Sequence, residues 1–258
     1  MPKSVSWVVL PDYGYSRLYL SEVPLKYNLL EVSPFLKESM KTELKITKDG
    51  SHTLFVPEID ECYHSTHGAI QESRHIFIEA GLKQCSKQEI RVLEIGFGTG
   101  LNAFLTLVEA EASGKKIHYT TLEKYPVEIE KADQLNYSEE IDSGKKQIFL
   151  QLHTVAWNEE IRITPFFTLK KIEVDFTEAV FDTKFDVVYF DAFSPEKQPE
   201  MWSKELFERI VAHCNPGSVL TTYCAKGIVR RAMQDAGFKV ERLPGPPGKR
   251  EILRGLRV

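Results

Sequence analysis

The chain has 258 residues, 42% of them hydrophobic, and a formal net charge of −4. That length fits one α/β core with an N-terminal addition, and no apolar run approaches the ~20 residues of a membrane span. No basic segment followed by an apolar stretch opens the chain, so no secretory signal is expected. The four cysteines, Cys62, Cys85, Cys214 and Cys224, show neither C-x-x-C pairing nor metal spacing, which fits reduced thiols in a cytoplasmic protein.

Residues 1–40 are aromatic-rich and irregular, with prolines at Pro2, Pro11, Pro24 and Pro34. They read as a dispensable extension or an over-long start. The alternative is an arm that packs Trp7, Tyr13, Tyr15 and Tyr19 on the domain. Residues 41–85 open with a predicted hairpin. Leu44 to Thr47 alternates, Asp49-Gly50 is a turn signal, and Thr53 to Pro57 returns. Tyr63 to Arg74 is polar and loop-like, a covering loop for substrate or cofactor, and it leads into a helix around His75 to Ala80. Asp60, His64 and His67 invite a metal reading. No histidine pair recurs later, however, and loop histidines beside a pocket more often bond substrate or backbone, so no metal is expected.

From residue 86 to 258 the pattern is strand, glycine loop, helix, strand. An apolar strand, Ile90 to Ile95, runs into Gly96-Phe97-Gly98-Thr99-Gly100, and an amphipathic helix spans about residues 101–112. That is how a doubly wound sheet builds a nucleotide-type pocket. The spacing is E-x-G-x-G-x-G rather than the dinucleotide G-x-G-x-x-G. An acid beside the ligand repels a pyrophosphate but suits the ammonium and sulfonium of S-adenosylmethionine. Glu94, Gly96, Gly98, Thr99, Gly100 and Asn102 are the expected cofactor residues of this loop. The second strand, His118 to Leu122, ends in Glu123, placed to grip a ribose diol. Trp157–Pro165 reads as a loop. The third strand, Phe167 to Val174, ends in Asp175, placed to receive the adenine amino group. The fourth, Phe185 to Phe190, ends in Asp191. Any one of these acids could be a helix cap; four at the ligand-binding edge of such a sheet point to a site. A strand at Ser218 to Tyr223, a helix at Gly227 to Ala236 and strands near Phe238–Arg242 and Glu251–Leu256 complete the pattern. The fold expected is Rossmann-like α/β, a class I S-adenosylmethionine-dependent methyltransferase with a seven-stranded, mostly parallel sheet and an N-terminal hairpin extension.

Charge is unevenly spread. From Cys224 to Val258 nine basic residues face three acids, a net +6 that leaves −10 on the rest. A basic end on an acidic body can meet a phosphate backbone locally; a solvated helix face with ordinary ion pairs is the plainer account.

Four blocks carry a resemblance. Asp191 to Trp202, D-A-F-S-P-E-K-Q-P-E-M-W, is similar to the D-[GA]-F-[AS]-P-x-K-x-P-x-M-W signature of the MnmC family. Gly68 to Arg74 resembles that family's G-x-x-E-[ST]-R segment. Val229 to Phe238 resembles its V-R-R-x-[LM]-x-x-A-G-F block, and Gly248 to Leu253 its closing strand. The resemblance runs from about residue 44 to the end.

It implies a methyltransferase that forms 5-methylaminomethyl-2-thiouridine at the tRNA wobble position, with the tRNA anticodon stem-loop as partner. Many family members also carry a flavin-dependent oxidase domain that this sequence lacks, so a separate enzyme would supply the aminomethyluridine, and neither FAD nor a metal is expected. Glu72 joins the cofactor residues. Asp191, facing the methyl group, would hold the substrate amine and take its proton. Phe193 and Pro195 would shape a slot for the extruded uracil, with Tyr223 beside it. Lys197, Arg230, Arg231, Lys249 and Arg250 would contact phosphates. The competing reading is a class I methyl- or aminopropyl-transferase acting on a small amine, which the basic C-terminal segment disfavours for a polycationic substrate.

Overall fold

The computed structural model describes residues 41–258, so the expectation for residues 1–40 lies outside the described residues. A small antiparallel sheet comes first: β1 (Glu43–Ile46), β2 (His52–Val56) and β3 (Glu61–Cys62). Its first turn closes as expected at Asp49-Gly50, where Gly50 takes φ +86°, a backbone region that favours glycine. Asp49 then ties this turn to the first helix. It accepts from the Ser51 and Gln71 backbone N–H groups. That helix, α1 (Ala69–Ser73), runs on as a wider π-type turn over Arg74–Glu79. The helix therefore begins at Ala69, six residues before the expected start at His75. Besides Ala69, the residues α1 buries are Glu72 and Ser73, both polar, so only a weak apolar pattern announces it.

The main sheet has eight strands: β4 (Glu89–Ile95), β5 (Lys116–Glu123), β6 (Glu160–Thr164), β7 (Phe167–Glu173), β8 (Phe185–Phe190), β9 (Cys214–Thr222), β10 (Phe238–Pro244) and β11 (Glu251–Arg257). Their order is β10-β11-β9-β8-β4-β5-β7-β6. The five from β9 to β7 run parallel, and the terminal hairpin β10–β11 adds antiparallel at one edge. The expected seven strands are all present. The eighth is β6, which pairs antiparallel with β7 across a register shift in the segment expected to be a loop. Its Ile161-Arg162-Ile163 alternation is a strand signal, and the edge position lets one face stay wet.

Helices α2 (Leu101–Ser113), α3 (Ile129–Ala132), α4 (Tyr137–Ile141), α5 (Lys146–Thr154), α6 (Lys204–Ala212) and α7 (Gly227–Asp235), with four short 3-10 turns, complete the described elements. The core divides into two apolar clusters. One is built around Phe77, Phe104, Tyr119, Phe149 and Tyr189, the other around Leu93, Phe185, Phe190, Trp202 and Phe207. All six residues of β8 are buried, as expected of a strand inside a parallel sheet. Strand β4 has β5 on one side and β8 on the other. Connections therefore leave it in opposite directions, and the crevice beyond its carboxyl end is where such sheets bind ligands.

Candidate active site

A cavity of about 510 Å³ occupies that crevice, within the range of small-molecule sites. Its floor is the turn after β4. Gly96 has φ +92°, and a Cβ there would lie 2.7 Å from the backbone oxygen of Asp191. Only glycine lets the tips of β4 and β8 come this close. Gly98, at φ +48°, has the Tyr63 ring where a Cβ would be, 2.8 Å away.

Two histidines brace this turn, His64 from the cavity wall and His153 from behind it. His64 Nε2 shares a 2.6 Å hydrogen bond with Thr99 Oγ1, and His153 Nε2 donates to the Thr99 carbonyl at 3.2 Å. Burial pushes His64 down to about 4 and His153 down to about 3, so both are neutral supports. Among the described residues no cluster of histidine, cysteine and acid could hold a metal ion. Behind His153, the fully buried Lys171 donates to its carbonyl oxygen and lies 4.5 Å from the Trp157 ring centre.

At one end of the cavity, Glu123 is held by backbone. Its Oε2 accepts from Gly98 N–H at 2.9 Å and its Oε1 from Tyr125 N–H at 2.8 Å. Asp175 lines the cavity nearby. Its oxygens are engaged by Lys124 Nζ at 2.8 Å and by the backbone and hydroxyl of Thr177. Lys124, ahead of Thr177, holds that carboxyl down to about 2.

At the other end stand Asp191, Glu72, Tyr223 and Lys249. Asn102 Nδ2 donates to Asp191 Oδ2 at 2.8 Å. Burial outweighs that hydrogen bond, which acts to lower it, and pushes the Asp191 carboxyl up to about 7. Glu72 is buried; Oε2 accepts from Ser65 N–H at 2.8 Å and Oε1 pairs with Lys249 Nζ at 3.2 Å. The Lys249 ammonium also lies 4.8 Å from the Tyr223 ring centre. Phe193 meets Tyr63 edge-on with ring centres 5.1 Å apart. The Asp191–Pro195 loop is anchored by Trp202 Nε1, which donates to Phe193 O, and by Glu61, which accepts from Ser194 N–H.

Of the residues expected from sequence, Gly96, Gly98, Thr99, Glu123, Asp175, Asp191, Glu72, Phe193, Tyr223 and Lys249 line one cavity. Three expected cofactor residues do not reach it. Gly100 opens α2, Asn102 lies beneath the cavity on Asp191, and Glu94 is wholly buried, accepting from Thr121 Oγ1 at 2.7 Å. Pro195 and Lys197 also stand outside the lining, with Lys197 exposed. Lys249 turns inward to Glu72 and is not the surface phosphate contact expected. Arg231 and Arg250 are exposed and Arg230 half-buried, all three outside the cavity. Sequence reading missed Tyr63, Tyr125, Gln198 and Met201 as cavity walls. The adjacent Tyr63 and His64 in a polar loop were the available signal.

A family model described as S-adenosyl-L-methionine-dependent methyltransferase matches residues 113–258. The chain belongs to this family. It is similar over 224 residues, at 30% identity, to the tRNA 5-methylaminomethyl-2-thiouridine biosynthesis bifunctional protein MnmC of Cupriavidus metallidurans, an alignment covering 80% of this chain and 32% of that one. The chain thus spans about a third of the length of the curated relatives it matches. The crystal structure of MNMC2 from Aquifex aeolicus superposes with a TM-score of 0.68 at 27% identity, covering 84% of this chain and 71% of that one. Spermidine synthase from Thermotoga maritima has a TM-score of 0.51 at 12% identity over 90% and 84% of the two chains, which is a likeness of fold alone.

The cavity fits the cosubstrate of this methyltransferase family by its acceptor groups. One end offers a carboxylate already oriented by two backbone N–H groups, suited to a diol. The other end offers carboxylates suited to ammonium and sulfonium charge.

Proposed function

We propose that this methyltransferase acts in the cytoplasm on the 5-aminomethyl group of the wobble uridine in a tRNA anticodon loop, giving 5-methylaminomethyl-(2-thio)uridine. The observation that carries the reading is Asp191. A carboxylate held by Asn102 projects into an aromatic-walled cavity at the sheet's switch point, and its affinity for a proton is tuned close to neutrality. The similarity to MnmC chains supports the choice of substrate.

S-adenosylmethionine supplies an electrophilic methyl on sulfur. The protein must then present a neutral amine nitrogen in line with that methyl, and positioning of this kind supplies most of the rate in such displacements. Asp191 accepts a hydrogen bond from the amine and takes its proton. Tyr63, Phe193 and Tyr223 offer ring surfaces for a splayed base, the usual means of reading single-stranded RNA. Glu123 holds the ribose end of the cosubstrate. Arg230, Arg231, Arg250 and Lys197, outside the cavity, meet the phosphates of the stem. Oxidation of a carboxymethylaminomethyl precursor would fall to a separate enzyme, and the transfer itself calls on neither flavin nor metal.

The test is methylation of tRNA from cells that accumulate the aminomethyluridine, followed by nucleoside mass spectrometry. The expected result is a one-methyl mass gain confined to that wobble nucleoside and dependent on S-adenosylmethionine. Transfer to free small amines with none to tRNA would overturn the assignment in favour of a small-amine enzyme.

A further inference from the structure

Beneath the cavity lies a second carboxyl that the reaction as described does not use. Glu94 sits in β4, level with Thr121 of β5 and Tyr189 of β8 across the sheet, and is fully buried. Its Oε2 has a donor, Thr121 Oγ1 at 2.7 Å. Its Oε1 is buried without a hydrogen-bond partner, as are Oδ1 of Asn102 and the hydroxyl of Tyr119. The other oxygen-bearing groups facing it are the hydroxyls of Tyr119 and Tyr189 and the carboxylate of Asp191. None of these is a cation. An ionised Glu94 would therefore be a buried, unneutralised charge next to another carboxylate, an arrangement that burial disfavours.

One proton serves all three atoms at once, since the protonated oxygen of Glu94 can accept from the Tyr119 hydroxyl while its own O–H donates onward. A carboxylic acid offers an O–H donor from the oxygen that otherwise lacks a partner, and the Asn102 carbonyl oxygen is the acceptor that otherwise lacks a donor. The Asn102 amide is thereby fixed with its N–H₂ toward Asp191, as the 2.8 Å bond requires. We propose that Glu94 is a neutral, proton-bearing positioning residue whose carboxylic O–H orients the Asn102 amide, which in turn orients Asp191 toward the cavity. Burial, with a smaller push from Asp191, raises the Glu94 carboxyl to about 8, in keeping with that state at neutral pH. The acid ahead of the glycine loop thus acts on Asp191 from below and does not touch the cosubstrate.

The proposal rests on the reading of Asp191 for its kinetic arm alone, and a spectroscopic arm separates the two. Infrared difference spectra of the full chain at neutral pH, wild type minus Glu94→Gln, should show a protonated carboxyl stretch that the variant lacks. Glu94→Leu should lose at least tenfold in turnover and shift the pH profile. Glu94→Gln, which keeps an N–H donor toward Asn102 and an acceptor toward Thr121, should recover most of both. S-adenosylhomocysteine binding by calorimetry, measured for each variant, confirms folding and should stay within a few fold of wild type. Absence of the carboxyl band overturns the proposal whatever the substrate proves to be. So does a Glu94→Gln variant that binds S-adenosylhomocysteine normally yet is as slow as Glu94→Leu, because that outcome requires the charge.

Discussion

Removing the Glu123 side chain should weaken cosubstrate binding by an amount that can be worked from its hydrogen bonds. Glu123 is already oriented, with Oε2 on Gly98 N–H at 2.9 Å and Oε1 on Tyr125 N–H at 2.8 Å. A ribose diol arriving at this carboxylate makes charge-assisted bonds without ordering a new side chain, and hydrogen bonds to charged groups contribute about 1.5–3 kcal/mol. At about 1.4 kcal/mol per tenfold in affinity, Glu123→Ala should raise Kd roughly 10- to 100-fold. The value falls at the upper end if the Gly98 turn, having lost its acceptor, must be re-ordered on binding. Glu123→Gln keeps the shape but replaces charged bonds by neutral ones about half as strong, and presents N–H₂ to one of two N–H donors. It should fall between wild type and Glu123→Ala. Titration calorimetry with S-adenosylmethionine, alongside circular dichroism to confirm folding, reads both variants. Folded Glu123→Ala with Kd within twofold of wild type would refute the ribose assignment at this strand tip.

The other end of the cavity and the outer surface give two more expected outcomes. Asp191→Asn should leave cosubstrate affinity within a few fold while lowering turnover on the order of 10²-fold, the scale of a lost general base; in wild type, turnover should rise with pH through about 7 as the carboxyl loses its proton, and that limb should vanish in the variant. Arg230→Glu combined with Arg231→Glu should weaken tRNA binding and flatten its salt dependence, by up to about 0.9 in log–log slope for each phosphate no longer neutralised, with S-adenosylmethionine affinity untouched; a wild-type salt slope would move the RNA surface off α7.

The parallel sheet was legible because its strands are short apolar runs punctuated by glycine and acid. The expected Ile90–Ile95, His118–Leu122 and Phe185–Phe190 lie inside β4, β5 and β8. What escaped has a common cause: polar residues in structural roles. Helix α1 buries Glu72 and Ser73 beside Ala69 and so carries only a weak apolar stripe. Strand β6 mixes charge with Ile161 and Ile163 at a sheet edge, where alternation over only five residues is a weak signal beside Trp157 and Pro165. Glu94 was misplaced for a different reason. In a strand covered on both faces the period-two rule does not separate ligand from core, since Val92, Leu93, Glu94 and Ile95 are all buried.

Lys249 shows how far charge alone can mislead about a site. In sequence it belongs to the most basic stretch of the chain, beside Arg250, and a phosphate contact is the natural expectation. The loop between β10 and β11 decides otherwise. Gly248 takes φ +89° and packs where a Cβ would meet the His67 ring at 2.5 Å. The turn is thereby pressed onto the covering loop, and Lys249 reaches Glu72 while Arg250 stays outside. The consequence for the chemistry is one of balance. Glu72 pushes the Asp191 carboxyl up and Lys249 pulls it down, so their effects oppose, and burial is left as the largest influence. A carboxyl pushed up to about 7 keeps both a populated basic form and useful proton affinity near neutral pH, as a general base requires. Without Lys249, Glu72 would stand as a buried carboxylate with no counter-ion, and Asp191 would hold its proton more tightly. The basic residue read as a hand on the tRNA is instead the counter-ion of Glu72 in the cavity wall.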